Sequence, residues 1–197
     1  MNNIFSRNFF IFAILASLMA ATRFDHFGSS VALPDASYAI FFLGGVFLTL
    51  SRRLSVALFT ALILEAGLID VYATSVQGIS DWCMTPAYWF LIPTYASLWL
   101  SGRWFSSKHS LQGKGLAGVM LTAFAATSFA FAFSNATFYL FSDRFAMMGA
   151  AEYATRVSQY YGSYVSVALL YIACAVAVGL AFGIGAKHRI ASGAGAV

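Results

Sequence analysis

The run LSVALFTALILEAGLIDVYAT, from Leu54 to Thr74, determines the class of this protein. Two basic residues, Arg52 and Arg53, stand directly before it, and its only acidic residues are Glu65 and Asp70. A helix needs about 20 mainly apolar residues to cross the hydrocarbon core of a bilayer. This run meets that length, so we predict a membrane-spanning helix.

Further apolar runs lie on both sides of it, in a chain that is 60% hydrophobic and only 9% charged. Soluble domains carry far more charge. The runs are Phe9–Thr22, Ser37–Leu50, Ala87–Gly102, Gly115–Phe133 and Tyr164–Gly185. The first two need part of their flanking loops to span. We expect an all-α integral membrane protein, a single domain over residues 1–197 with six transmembrane helices.

The distribution of basic residues orients these spans. Most of the eleven Lys and Arg residues fall on the side that holds both termini: Arg7, Arg52, Arg53, Arg103, Lys108, Lys114, Lys187 and Arg189. The opposite side keeps Arg23, Arg144 and Arg156. By the positive-inside rule, both termini are predicted to be cytoplasmic. The formal charge of +4 follows from this bias, so it does not indicate a nucleic-acid partner.

The outer connections are predicted at about 23–36, 75–86 and 134–163, and the last is long enough to contain a helix over 145–160. Most tyrosines map to this side: Tyr38, Tyr72, Tyr88, Tyr139, Tyr153, Tyr160, Tyr161 and Tyr164. An aromatic belt alone should occupy both membrane interfaces. The asymmetry favours a site for a large ligand with apolar faces and polar edges, the alternative being a belt combined with loop packing.

Cys83 lies in the stretch Asp81–Pro86, just before the fourth span. Thr85 and Pro86 have the pattern of an N-cap followed by a first helical residue, which would place Cys83 near a helix N-terminus and favour its thiolate. Cys174, the other cysteine, falls near the middle of the last span, about 10 Å or more away in depth, so no disulfide is expected. A purely structural role for Cys83 remains open.

A lone thiolate suits a soft metal, but one cysteine does not build a structural zinc site. The three histidines, His26, His109 and His188, all fall outside the predicted spans. A bis-histidine haem inside the bilayer is therefore not expected. A single protein ligand suits a metal that arrives already held in a macrocycle.

Six spans, both ends inside, long outer connections and a first helix rich in small residues resemble the substrate-binding S-components of energy-coupling-factor vitamin transporters. Within that group, Trp82-Cys83 ahead of Tyr88, with Asp70 closing the third span, resembles the BtuM family of solitary cobalamin transporters. The likeness covers the whole chain as architecture, but its specific motif is only this short stretch.

The resemblance implies cobalamin binding and uptake across the bacterial inner membrane, with Cys83 as the axial cobalt ligand on the periplasmic face. It implies that Asp70 and Tyr88 line the site. It also implies a protein that is primarily a transporter, in which thiolate ligation can promote loss of the upper cyanide ligand; whether this chemistry makes it an enzyme stays open. Asn135, Tyr139 and Arg156 are candidate rim contacts by location alone. His26 and Asp35 are weaker candidates, since such loop residues are often solvated or capping.

The first helix carries Ala16 and Ala20, a small-x-x-x-small pair that resembles the surface by which S-components dock on an energising subunit. Close packing within the protein is the alternative for this pair and for similar ones in the fifth and sixth spans. The sequence contains no phosphate-binding Gly-x-x-x-x-Gly-Lys-Ser/Thr loop. Glu65 is either a proton relay or a packing residue, and its spacing from Asp70 predicts that the two do not share a site.

Three other functions stay open beside cobalamin uptake. One is an S-component for a different vitamin, with Cys83 merely structural. The others are a membrane redox enzyme that uses Cys83, and a structural subunit of a larger complex.

Overall fold

A computed structural model describes residues 2–23, 33–48 and 51–182, with side chains from residue 6 onward. Its helices are α1 (Asn2–Arg23), α2 (Ser37–Phe47), α3 (Arg52–Ser75), a 3₁₀ turn (Pro86–Phe90) that runs into α4 (Leu91–Lys108), α5 (Lys114–Phe141) and α6 (Ala150–Ala181). No strand occurs among the described residues. The all-helical prediction is confirmed for this part of the chain.

Three of these helices, α3, α5 and α6, are long and apolar enough to cross a membrane. This finding agrees with a helical membrane protein. Their outward faces carry large apolar side chains, among them Leu64 and Leu68 on α3 and Leu121 on α5. Such apolar side chains are favourable in contact with a bilayer, whereas their exposure to water would be unfavourable.

The short helix α2 forms the centre of the bundle. Its residues from Ala39 to Val46 are all buried, and α1, α4, α5 and α6 pack around it. At about 1.5 Å per residue, α2 is only about 16 Å long, while α5 and α6 reach about 42 and 48 Å. The long helices therefore extend well past α2, which leaves room for a cavity beyond one of its ends.

Glycines set the close contact between α2 and α4. A Cβ atom at Gly45 would overlap the carbonyl oxygen of Trp99, and one at Gly102 would overlap the carbonyl oxygen of Phe42. The two backbones thus touch directly, which only residues without a side chain allow.

The predicted small-residue faces of α5 and α6 also pack inside the molecule. A Cβ at Gly118 would lie 3.3 Å from the ring of Phe105 on α4, and one at Gly179 would lie 3.2 Å from the ring of Phe47 on α2. Ala16 and Ala20 of α1 are partly buried against the core. The packing alternative accounts for these contacts, and docking of a further subunit stays a prediction.

The connection predicted over 134–163 is much shorter than expected. Helix α5 continues to Phe141 and α6 starts at Ala150, so only 142–149 remain outside helices. The sequence suggests a loop there because polar residues appear, but Ser134 and Asn135 donate hydrogen bonds to the carbonyl of Phe131 and stay helical. The separate helix predicted over 145–160 is mostly the first part of α6. The connection predicted over 75–86 agrees with the observed 76–85, and most of 23–36 lies outside the described residues.

Candidate functional site

A cavity of about 820 Å³ lies beyond the N-terminal end of α2. The start of α2 forms its floor, and the ends of α1 and α3, the 76–85 connection, the 3₁₀ turn, α5 and α6 form its walls. Its lining includes Arg23, Asp35, Tyr38, Asp70, Trp82, Cys83, Tyr88, Phe131, Asn135, Phe138, Tyr153, Arg156, Tyr160 and Tyr164. The mismatch in helix length described above thus produces an aromatic-walled pocket.

Six residues predicted for the site share this cavity: Cys83, Asp70, Tyr88, Asn135, Arg156 and the weaker candidate Asp35. They come from different helices and connections of the chain, so the fold brings them together.

Tyr139 does not line the cavity. Its hydroxyl donates a hydrogen bond of 2.8 Å to the carbonyl of Met148, and its ring centroid lies 4.9 Å from that of Tyr153. It therefore holds the 142–149 connection against α6. His26 lies outside the described residues.

The tyrosines divide between two roles. Tyr38, Tyr88, Tyr153, Tyr160 and Tyr164 line the cavity. The remaining three on that side, Tyr72, Tyr139 and Tyr161, do not. Most of these rings thus face the cavity and the others pack or lie at the surface, while a ligand for the cavity stays a prediction.

Arg23, the last residue of α1, is the residue that the sequence most clearly left undetected. It is buried, and its Nε and Nη2 atoms donate hydrogen bonds of 2.7 and 2.6 Å to the two carboxylate oxygens of Asp70 on α3. Such two-point Arg–carboxylate pairs are the strongest and most directional ion pairs in proteins. A lone Arg and a lone Asp at the same ends of neighbouring apolar helices were the signal for this pair.

The pair extends into a network around the cavity floor. Arg23 also donates to the hydroxyls of Ser37, at 2.8 Å, and Tyr95, at 3.1 Å. The hydroxyl of Tyr88 donates to Asp70 Oδ2 at 2.7 Å. The network connects α1, α2, α3, the 3₁₀ turn and α4, and it engages both oxygens of Asp70.

Asp35 lies at the edge of this network. Its Oδ1 accepts hydrogen bonds from the backbone nitrogen of Ser37, at 2.9 Å, and from the Ser37 hydroxyl, at 2.6 Å. Asp35 stands one position before the N-cap residue Ala36 and forms an Asx turn onto Ser37, the first residue of α2, which agrees with the capping alternative. Its Oδ2 stands 3.9 Å from Arg23 Nη1.

Cys83 stands on the cavity wall within a turn that is closed by hydrogen bonds from Met84 N to the Asp81 carbonyl and from Thr85 N to the Cys83 carbonyl. Both cysteines are free thiols. Partial burial, followed by the negative charge of Asp70, raises the pKa of the Cys83 thiol, and the lowering effect of Arg23 and Arg144 is smaller.

The expectation of a thiolate-favouring helix N-terminus is therefore wrong for the ligand-free protein. Thr85 and Pro86 do occupy the N-cap and first helical positions, but the Thr85 side chain makes no capping hydrogen bond. The turn that follows is a five-residue 3₁₀ segment, and α4 itself begins only at Leu91.

Two connections meet beside Cys83 at the cavity. The ring of Trp82 lies 6.4 Å from that of Phe145, edge to face, and the guanidinium of Arg144 lies 4.7 Å from the Trp82 ring centroid. A cation at this distance over an indole is attracted by its π face. This contact joins the 76–85 and 142–149 connections.

Glu65 does not line the cavity, in agreement with its predicted separation from Asp70. It is half-buried on α3. In the described part of the chain, no three His, Cys, Asp or Glu residues form a group that could hold a bare metal ion. Any metal bound through Cys83 would need its other ligands from elsewhere.

Comparison with protein-family models and with curated proteins found no match to this sequence.

Proposed function

We propose that this protein binds cobalamin and takes it up across the bacterial inner membrane, as a six-span protein with both termini in the cytoplasm and the cavity facing the periplasm. The observation that carries the proposal is the convergence of Cys83, Asp70 and Tyr88 on one aromatic-walled cavity. These are the residues on which the resemblance to the BtuM family depends.

The cavity suits such a ligand in size and chemistry. Ligand pockets usually measure about 300–1,000 Å³ and combine apolar walls with a few polar groups, and 820 Å³ falls in that range. A corrin has broad, partly apolar faces and amide side chains around its rim. The rings of Tyr38, Phe131 and Tyr164 would pack on such a face, while Asn135 and Arg156 would face its rim.

Cys83 would supply the axial ligand to cobalt. Its raised pKa means that it is a thiol before the ligand arrives, so ligation requires loss of the thiol proton. The metal itself favours that loss, because thiolates are the form that binds metal ions. Thiolate donation from below would also weaken the bond to an upper cyanide ligand, which is the chemical step implied by the resemblance.

Any ATP dependence of uptake would come from another protein, because the sequence has no ATP-binding loop. Either transport is solitary, or an energising subunit docks on α1 near Ala16 and Ala20. The second arrangement would use the flank of α1 that the core covers only in part.

Visible absorption spectra test the proposal. Purified protein would be incubated with cyanocobalamin beside Cys83→Ser and, as a matched control, Cys174→Ser. We expect a shifted spectrum in the wild type and in the Cys174 variant, and none in the Cys83 variant. Bound corrinoid with the same spectrum in all three proteins would show that Cys83 is not the ligand. No bound corrinoid in any of them would refute the proposal.

A second candidate is an S-component for another vitamin, with Cys83 only structural. The cavity is compatible with it, since aromatic walls with a few polar groups also suit a metal-free vitamin. Mass spectrometry of small molecules retained through purification would distinguish the two: a metal-free vitamin in the wild type and in Cys83→Ser would support this alternative.

A further inference from the structure

The cavity floor presents a carboxylate oxygen, Asp35 Oδ2, that no described residue contacts at hydrogen-bond distance. Asp35 lines the cavity, and its side chain is 29% exposed. Oδ1 accepts both hydrogen bonds from Ser37. Oδ2 makes no hydrogen bond with a described residue, and its 3.9 Å separation from Arg23 Nη1 exceeds hydrogen-bond length.

The charge of Asp35 is only partly balanced by Arg23, because the short hydrogen bonds from the guanidinium to a carboxylate go to Asp70. The Arg23–Asp70 pair has two short hydrogen bonds, of 2.7 and 2.6 Å, while Asp35 is held to the same guanidinium only by a long contact. Among the described residues of the floor, this group of one cation and two carboxylates leaves an excess of negative charge, and Asp35 Oδ2 can still accept a hydrogen bond.

An ionised carboxylate accepts hydrogen bonds and donates none. It therefore attracts N–H groups of a ligand and repels carboxylates placed beside it. Building on the proposed function, we infer that Asp35 determines ligand specificity: it accepts a hydrogen bond from an amide N–H on the rim of the bound macrocycle and disfavours macrocycles that carry carboxylates there.

The capping role of Asp35 can be separated from this ligand role. Asn caps helices about as well as Asp, because its side-chain oxygen can accept the same bonds from Ser37. In Asp35→Asn the cap is therefore kept, while the second oxygen becomes an amide that donates hydrogen bonds. The variant should fold normally. Its preference should shift from ligands that donate a hydrogen bond at this position toward ligands that accept one.

The matched control is Asp143→Asn. Asp143 is exposed and does not line the cavity. Its substitution by Asn changes the charge of the protein by the same amount as Asp35→Asn. Its backbone has a φ of 58°, a left-handed conformation that Asn adopts as readily as Asp. The control thus reports the effect of removing a negative charge elsewhere on the same side of the molecule.

The experiment compares two corrinoids on the full-length protein in detergent: cobinamide, with an amide rim, and cobyrinic acid, with a carboxylate rim, both as cyano complexes. Affinities would be measured by quenching of tryptophan fluorescence, since Trp82 lines the cavity. We expect the wild type and Asp143→Asn to prefer cobinamide, and Asp35→Asn to reduce that preference about tenfold or more.

The outcomes separate this inference from the function on which it depends. If both corrinoids bind and Asp35→Asn leaves their affinity ratio unchanged, or if Asp143→Asn reduces it equally, the role of Asp35 is refuted while cobalamin binding stands. If neither corrinoid binds the wild type, the proposed function fails and this inference fails with it.

Discussion

The guanidinium of Arg23 and the carboxylate of Asp70 face each other through two hydrogen bonds, although 47 positions separate them in the sequence. The pair joins the end of α1 to the end of α3 directly beside the cavity. Both side chains are almost fully buried, so each is stabilised by the other rather than by water.

Removing only one member of this pair should destabilise the protein strongly. Arg23→Met leaves the Asp70 carboxylate buried without its partner, which costs about 3–5 kcal/mol. Thermal unfolding of the purified protein in detergent would measure the loss. The double variant Arg23→Met with Asp70→Leu should recover much of it, because neither charge then remains buried.

Arg156→Gln is the control for that experiment. Arg156 pairs with Glu152 at 3.3 Å, but both side chains are more than half exposed, so the pair is screened by water. We expect little change in its unfolding temperature. An equal loss in both single variants would contradict a special role for the buried pair.

Tyr88→Phe tests the hydroxyl that completes the network. The variant keeps the ring in place and removes only the 2.7 Å hydrogen bond to Asp70. Hydrogen bonds to charged groups contribute about 1.5–3 kcal/mol, so a moderate loss of stability is expected. Tyr160→Phe, in which an exposed cavity-lining tyrosine loses its hydroxyl, should leave stability unchanged. Equal stability of both variants would show that the Tyr88 bond contributes nothing.

The α2–α4 contact predicts that a methyl group is tolerated less well at Gly102 than at Gly162, a glycine outside this contact. Gly102→Ala places a methyl group against the Phe42 carbonyl, so the helices must separate and the unfolding temperature should fall by several degrees, as for about 1–3 kcal/mol of overpacking. Gly162→Ala on α6 meets nothing within 4 Å and should be neutral or stabilising by up to about 1 kcal/mol. A neutral Gly102→Ala would show that the two backbones are not in contact.

Ligation by Cys83 predicts a pH dependence. The Cys83 pKa is raised above its usual range of about 8.5, so below that raised pKa each bound cobalt must displace one proton. The apparent affinity should therefore rise about tenfold per pH unit and level off once the pH passes the thiol pKa. Spectral titrations from about pH 6 to pH 9 would measure it, with Cys83→Ser expected to show no such slope. A flat profile in the wild type would be inconsistent with thiolate ligation.

The sequence predicted the helical class and the membrane-like composition because apolar residues in long runs are a local property of the chain. It also identified residues of the cavity lining: Cys83, Asp70 and Tyr88 through the family resemblance, and Asn135 and Arg156 by their place on one side of the predicted topology. It misjudged the 134–163 connection, since hydropathy falls where Ser134 and Asn135 appear although their own helix satisfies their side chains.

The sequence alone therefore determined the composition of the site: it indicated which side of the molecule holds the tyrosines, the acidic residues and the unpaired thiol. Only the tertiary structure decided how these groups act on one another. The pairing of Arg23 with Asp70, and hence the Asp35 oxygen that no described residue contacts at hydrogen-bond distance, depends on distances between helices far apart in the chain. The protonation of Cys83 likewise depends on its burial and on neighbouring charges from other helices, which a local helix-end pattern does not contain.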